Sequence, residues 1–407
     1  MNQKNSLISK KLGVIKPSPT IAVTMKAKEL RAIGKDVIDL GAGEPDFDTP
    51  DNVKQAAFDA IKSGQTKYTV VNGIPELKTA IMDKFLRENQ LRYKMEQISV
   101  GCGAKHVIFN IFAATLDRGD EVIIPVPFWV SYPDMVLING GKPVLVNTSV
   151  KNNFKLTPKA LVKNITNKTK WLILNSPSNP TGTCYTKAEL EELANVLAKY
   201  PHIHIISDDI YEHIRYGSNQ YINIANINED MKARSFVVNG VSKAYSMTGW
   251  RIGYVAGNKD VVKAMSKIQS QSTSNPCSIS QYASVEALSV NSQGFVERNK
   301  VLFKKRRDLV MNLLKDIEGI TASTPDGAFY VFPNCQQLIG KKLPNGEVIR
   351  NCTDFAKYLL EEALVAVVPG IAFGTQNFFR ISYAISEDLL SEACSRIKIA
   401  CRKLLQY

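Results

Sequence analysis

Between about residues 50 and 300 the chain repeats one pattern. An apolar run of strand length is followed by a helical pattern, and then another apolar run. The runs are I-S-V-G, E-V-I-I-P-V, W-L-I-L-N, H-I-H-I-I-S-D and S-F-V-V-N. Strands buried on both faces read as continuous apolar stretches, so this alternation predicts a mainly parallel sheet covered by helices on both sides, an α/β fold. After residue 300 the character changes. A helical stretch carrying Lys304-Lys-Arg-Arg307 leads to G-A-F-Y-V-F, A-L-V-A-V-V-P-G, F-F-R-I-S-Y-A and a basic C-terminal helix. That order predicts a smaller α+β domain. A chain of 407 residues suits two domains. The expected division is 51–300 for the large domain and 301–407 for the small one, with 1–50 packing against the latter.

Composition removes several classes of function. No run of about 18 apolar residues occurs, so no membrane span is expected. The formal charge of +13 raises nucleic acid as a partner, but the basic residues are dispersed. A solvated lysine-rich surface accounts for them, with a basic site for acidic substrates adding to the total. Seven cysteines, none in a C-x-x-C pair, read as reduced thiols in a cytoplasmic protein. Four histidines are too few for a metal centre, and His202 and His204 alternate along a predicted strand as structural residues. The first 28 residues hold six lysines and no acid, but no arginine and no apolar h-region, and are expected to belong to the mature chain.

In open parallel sheets, ligands bind beyond the carboxyl ends of the strands. The first such end is Gly101-Cys-Gly-Ala-Lys105, a glycine-rich turn opening a helix with Ile108, Phe112 and Leu116 on one face. It offers backbone N–H groups and a positive dipole end to an anion. The second end places Trp129 where an indole can stack on a flat ring, or simply fill core. The third is Asn175-Ser-Pro-Ser-Asn-Pro-Thr-Gly182, denser in turn residues than a connector needs, with Asn179 as a donor to a ring oxygen. The fourth is Ser207-Asp-Asp-Ile-Tyr211. Asp208 closes an apolar strand, where an unpaired carboxylate is costly and a cationic ring nitrogen is a fitting partner. The fifth is Lys243, in G-V-S-K-A-Y-S-M-T-G-W-R-I-G. A lysine after a strand is ordinarily a surface residue that snorkels. A buried one is costly unless paired or discharged, and forming a Schiff base with an aldehyde discharges it. Anion cradle, stacking plane, phenolic-oxygen donor, ring-nitrogen carboxylate and aldehyde-seeking amine together match pyridoxal 5′-phosphate group by group.

With those residues in place, the chain resembles the class I aminotransferases of the pyridoxal-phosphate family with the aspartate aminotransferase fold. The lysine motif above, N-P-T-G, S-D-D-I-Y, G-E-P-D-F-D-T-P and F-F-R-I-S-Y-A all fit, in family order and spacing. The resemblance implies a fold-type-I architecture and a homodimer with shared active sites. Lys243 would bind the cofactor aldehyde and carry the α-proton, and Asp208 would keep the ring nitrogen protonated. Asn179 and Tyr211 would hold the ring hydroxyl oxygen, and Trp129 would stack. Arg251 would grip the phosphate with backbone groups of Gly103, Ala104 and Lys105, and Tyr68 would reach the phosphate of the neighbouring subunit. Arg380 would clamp the substrate α-carboxylate, with Gly43 as a contact in the segment that closes over it.

One position departs from the animal and enteric aspartate enzymes. Where those carry an arginine from the second subunit, spacing places Tyr282. The chain instead resembles the subgroup that reads a distal carboxylate with Ser18, Thr20 and Lys105. The implied reaction is ping-pong transamination of L-aspartate and 2-oxoglutarate to oxaloacetate and L-glutamate. Alternatives are a broader prephenate or aromatic range, or another pyridoxal-phosphate enzyme of the same fold.

Overall fold

A computed structural model describes residues 7–15, 19–217, 221–343 and 346–406. Strand β1 (Ile38–Asp39) lies apart from the main sheet. That sheet is built from β2 (Ile98–Gly101), β3 (Glu121–Val126), β4 (Lys142–Asn147), β5 (Thr169–Asn175), β6 (His204–Asp208), β7 (Ser235–Gly240) and β8 (Gly253–Ala256). Its spatial order is β2-β8-β7-β6-β5-β3-β4. Only β8 runs against the others, pairing antiparallel with both β2 and β7. The expected mainly parallel sheet is present, and each of the five apolar runs forms one of its strands. His202 falls just ahead of β6, whereas His204 opens the strand beside Trp171.

Alternation along the strands divides the core between two faces. Val122, Ile124, Ile173 and Val238 pack under the helices Ala104–Thr115 and Lys259–Ser270. Ile123, Leu172, Leu174 and Ile205 meet Leu190, Leu193 and Leu197 of the helix Lys187–Leu197 on the other side. Further along that side, Val100, Val237 and Tyr254 cover Leu77, Ile81 and Phe85 of the helix Pro75–Asn89.

A second core gathers around β9 (Tyr330–Val331), β10 (Val365–Ala366), β11 (Val368–Pro369) and β12 (Phe379–Ser382). Strands β11, β12 and β9 form an antiparallel sheet in that order, while β10 pairs in parallel with β1. The helix Gln293–Lys315 contributes Val296 to the sheet's core and Phe303, Val310 and Leu314 to the second core. Its Arg306 clasps Asp46 with two bonds of 2.6 and 2.9 Å, fixing the stretch that follows β1. The two cores meet along the carboxyl ends of β5, β6 and β7.

Candidate active site

At that meeting line lies a cavity of about 250 Å³. Asp208, the last residue of β6, is 4% exposed. Its Oδ2 accepts from the Tyr132 hydroxyl at 2.5 Å and its carbonyl accepts from Asn175 Nδ2 at 2.8 Å. Burial pushes the Asp208 carboxyl up to about 6, against the pull of Tyr132, the Ile210 N–H and the Lys243 ammonium. Lys243 lies in the loop joining β7 to β8, and its Nζ donates to the Gly43 carbonyl at 2.6 Å. Burial brings this amine down to about 8, even with Glu44 nearby, whose carboxylate is held by the Thr248 hydroxyl at 2.7 Å. A carboxylate and an amine, displaced in opposite directions, thus face one cavity.

The turn after β5 is tied to β6 by Asn175, whose Oδ1 accepts from the Asn179 N–H at 2.8 Å. The peptide bonds before Pro177 and Pro180 are cis. Asn179 Oδ1 in turn accepts from Arg380 Nη1 at 3.0 Å, while Arg380 Nη2 donates to the Gly41 carbonyl at 2.7 Å. Arg380, on β12, is 2% exposed and its Nε has no partner. Among the described residues no carboxylate lies within ion-pair distance of it. Its guanidinium stacks 4.4 Å from the Tyr330 ring centroid, and the Tyr330 hydroxyl meets that of Tyr211 at 2.8 Å. A buried, unneutralised guanidinium beside open space calls for an anionic ligand.

At the other end of the cavity the helix Ala104–Thr115 begins behind Gly103, which has φ +90°. Arg251 reaches across it, donating through Nη1 to the Thr248 carbonyl at 2.8 Å and through Nη2 to the Cys102 carbonyl at 3.2 Å. A Cβ on Gly103 would stand 2.2 Å from Arg251 Nη2. One on Gly253 would stand 2.1 Å from the Ala104 nitrogen, so β8 runs hard against the helix start. Helix dipole, free N–H groups and guanidinium make an anion cradle. Over it, Lys105 Nζ sits 4.9 Å from the Trp129 ring.

Behind Tyr211, the buried Lys84 ammonium binds Glu212 and Asn89, with Glu88 at 3.5 Å. Glu88, Glu212 and His213 converge closely enough to suit a metal, but Lys84 already supplies the cation there. This network pins the turn that carries Tyr211.

The cavity brings together Gly43, Ala104, Lys105, Trp129, Asn179, Asp208, Tyr211, Lys243, Arg251 and Arg380, all of them expected from the sequence. Gly103 shapes the cradle without lining it. Tyr68 is 92% exposed and outside this chain's own cavity, and Tyr282 instead donates to Gln65 Oε1 at 3.1 Å. Ser18 lies outside the described residues, and of Thr20 only the backbone, in the first turn of the helix Pro19–Ala32, is described. Sequence reasoning missed the roles of Tyr132, Asn175 and Tyr330. Asn175 had a signal, since it opens the turn motif; Tyr132 had only its place three residues beyond Trp129.

Residues 35–397 match the family model for aminotransferase class I and II. The chain belongs to that family. An aspartate/prephenate aminotransferase of Cereibacter sphaeroides is 55% identical, over 98% of this chain and 100% of its own length. A probable aspartate/prephenate aminotransferase of Rickettsia felis is 58% identical over 97% of each. Among solved structures, the aspartate aminotransferase of Rhizobium meliloti superposes with a TM-score of 0.95 at 50% identity, covering 98% of this chain and 100% of that one. That of Thermus thermophilus with maleate gives 0.91 at 42% identity, covering 97% and 100%. The fold is therefore that of the fold-type-I transferases, and the enzyme is an aminotransferase dependent on pyridoxal 5′-phosphate. The donor set fits that cofactor. It offers a cradle for a phosphate, a buried carboxylate for a ring nitrogen, a depressed amine for an aldehyde, and Asn179 and Tyr211 on the same wall.

Proposed function

We propose that the enzyme transfers the amino group of L-aspartate to 2-oxoglutarate in a ping-pong cycle. Bound pyridoxal 5′-phosphate supplies an aldehyde and an electron-accepting ring. Lys243 anchors the cofactor and moves the proton of the substrate α-carbon at Nζ, a task suited to an amine near 8. Asp208 holds the ring N–H, Asn179 and Tyr211 orient the ring oxygen, and Trp129 covers one face. Arg251 and the N–H groups of Ala104 and Lys105 hold the phosphate. Arg380 binds the α-carboxylate, displacing none of its present partners but filling the free Nε and the open side of the fork. Lys105, with Ser18 and Thr20, receives the distal carboxylate. Tyr68 completes the site of a second copy, and the working unit is a homodimer in the cytoplasm.

The observation that carries this reading is the unneutralised Arg380 in the same cavity as Lys243 and Asp208. The names of the relatives supply the aspartate assignment, and they equally motivate prephenate as a second acceptor. A screen of aspartate, glutamate, tyrosine, phenylalanine and alanine against 2-oxoglutarate and prephenate separates the two. Aspartate with 2-oxoglutarate should give the highest kcat/KM; a faster aromatic donor would overturn the assignment. Lys243→Ala should abolish the visible absorbance of the bound cofactor and nearly all turnover, and wild-type activity in that variant would end the proposal.

A further inference from the structure

Tyr132 is the first residue of the helix Tyr132–Ile138 and is 2% exposed. It touches two groups that face the cofactor. Its hydroxyl donates to Asp208 Oδ2 at 2.5 Å, a short bond between two buried groups. Its ring meets the Trp129 indole edge to face, with centroids 5.2 Å apart and planes at 81°. The two residues belong to one tight turn, because the Tyr132 N–H donates to the Trp129 carbonyl at 3.1 Å. One side chain therefore links the stacking plane, which follows β3, to the carboxylate at the end of β6.

The phenol is suited to act only as a donor. Burial and the neighbouring Asp208 charge push its ionisation well above the ordinary tyrosine range, so it keeps its proton. The carboxylate has few other supports. From the loop after β7 it faces the Lys243 ammonium, and from its own turn it faces Tyr211, the Ile210 N–H and the buried Asp209; from β5 the amide of Asn175 donates to the Asp208 backbone carbonyl, not to the carboxylate. Asp209 itself is pushed up to about 8 by burial and the Glu212 charge, which weakens it as a competing charge. The Ile210 N–H reaches Oδ1 only at 3.4 Å, a weak bond. Tyr132 is thus the one short hydrogen bond the carboxylate receives from another side chain among the described residues.

We propose that Tyr132 is a positioning residue that holds the Asp208 carboxylate charged and aimed at the cofactor ring, while bracing Trp129 against the ring's face. This role rests on Asp208 being the partner of the ring nitrogen, as proposed for the site. A donor to the charged form favours that form, so removing the hydroxyl lets Asp208 take up a proton at higher pH. A protonated Asp208 cannot pair with a ring N–H⁺, and the loss is therefore greatest in mild acid. Packing against Trp129 is retained by phenylalanine and has no such pH dependence.

The test is the cofactor affinity of the holoenzyme, measured by equilibrium dialysis at about pH 6 and about pH 8.5 for wild type, Tyr132→Phe and Asp208→Ala. The lower condition lies at the value near 6 at which Asp208 titrates, and the higher lies well above it. Tyr132→Phe should raise the Kd for pyridoxal 5′-phosphate about tenfold relative to wild type at the lower pH, the scale of one charge-assisted hydrogen bond, and no more than about twofold at the higher. Because Lys243 and the phosphate titrate alike in both proteins, the ratio isolates Tyr132. An equal rise at both pH values would reduce Tyr132 to packing, and no rise at either would also overturn the proposal. Asp208→Ala should bind weakly at both. If it binds as wild type, the reading of Asp208 itself falls; if it weakens while Tyr132→Phe does not, only the role of Tyr132 falls.

Discussion

Two residues in the cavity titrate away from their ordinary values for the same reason, the removal of water, and in opposite directions: Lys243 falls to about 8 and Asp208 rises to about 6. For Lys243 the consequence for stability has a definite sign. In the unfolded chain the amine keeps its proton up to its usual range near 10.5, whereas the folded protein releases it near 8. Between those limits the unfolded state binds more protons, so the stability of the cofactor-free protein rises with pH across the window. Below it, the folded state carries a buried charge at a constant cost. Lys243→Met should therefore be more stable than wild type at neutral pH by about 1–3 kcal/mol, and the advantage should shrink as pH rises from about 8 towards 10. Urea denaturation of both cofactor-free proteins at three pH values checks this; an advantage independent of pH would mean that Lys243 is not held near 8. At this scale most of the site was legible. Lys243 and Asp208 are charges at the ends of apolar runs, which is costly without a partner and therefore conspicuous, whereas Arg380 was assigned only by the resemblance. Tyr132 was not legible, because a tyrosine beginning a short helix is an ordinary core residue until its hydroxyl is seen against Asp208.

The strands β7 and β8 and the loop between them form the element on which the site depends most. The loop carries Lys243 and Arg251, then turns the chain back so that Gly253 passes the Ala104 amide. A methyl group at Gly253 meets backbone rather than a flexible side chain, and neither strand nor helix start can yield cheaply. Gly253→Ala should lose about 2–4 kcal/mol and loosen the cofactor, while Gly249→Ala, with nothing within 4 Å of its added carbon, should be close to neutral. Thermal denaturation of the two variants makes the comparison, and equal midpoints would show that the contact at Gly253 is easily relieved. The expectation of a parallel sheet held for the five strands that the apolar runs named, because such runs signal burial on both faces. It was silent on β8, which begins where the lysine motif ends and whose direction follows from the loop before it. It was silent on β4 also, since an edge strand with Lys142, Leu145 and Asn147 exposed does not read as buried.

For the molecule as a whole, the exposed Tyr68 is the informative residue. It stands 92% exposed, on a stretch of chain joined to the helix Ser278–Ala287 through Gln281 and Ser278. If Tyr68 serves the site of a second copy, defects in Lys243 and Tyr68 should complement. A mixed dimer of Lys243→Ala and Tyr68→Ala subunits holds one site with both defects and one with neither. Equal mixing with free exchange should then restore about a quarter of wild-type turnover, well above either parent. Turnover no greater than the sum of the parents would place Tyr68 outside any shared site. Nothing in the sequence pattern distinguished a tyrosine exposed by chance from one awaiting a partner; only the resemblance assigned it.

The bond from Arg380 to the Gly41 carbonyl joins positions 339 apart in the chain. A ribosome makes Gly41 first, followed by the cradle, the carboxylate and the amine, and reaches the carboxylate clamp only after all of these. A nascent chain halted after β8 would hold every proposed cofactor ligand that it contributes to its own site, yet would lack the arginine proposed to clamp the substrate α-carboxylate. The order in which the chain is made therefore puts the cofactor ligands ahead of the α-carboxylate clamp.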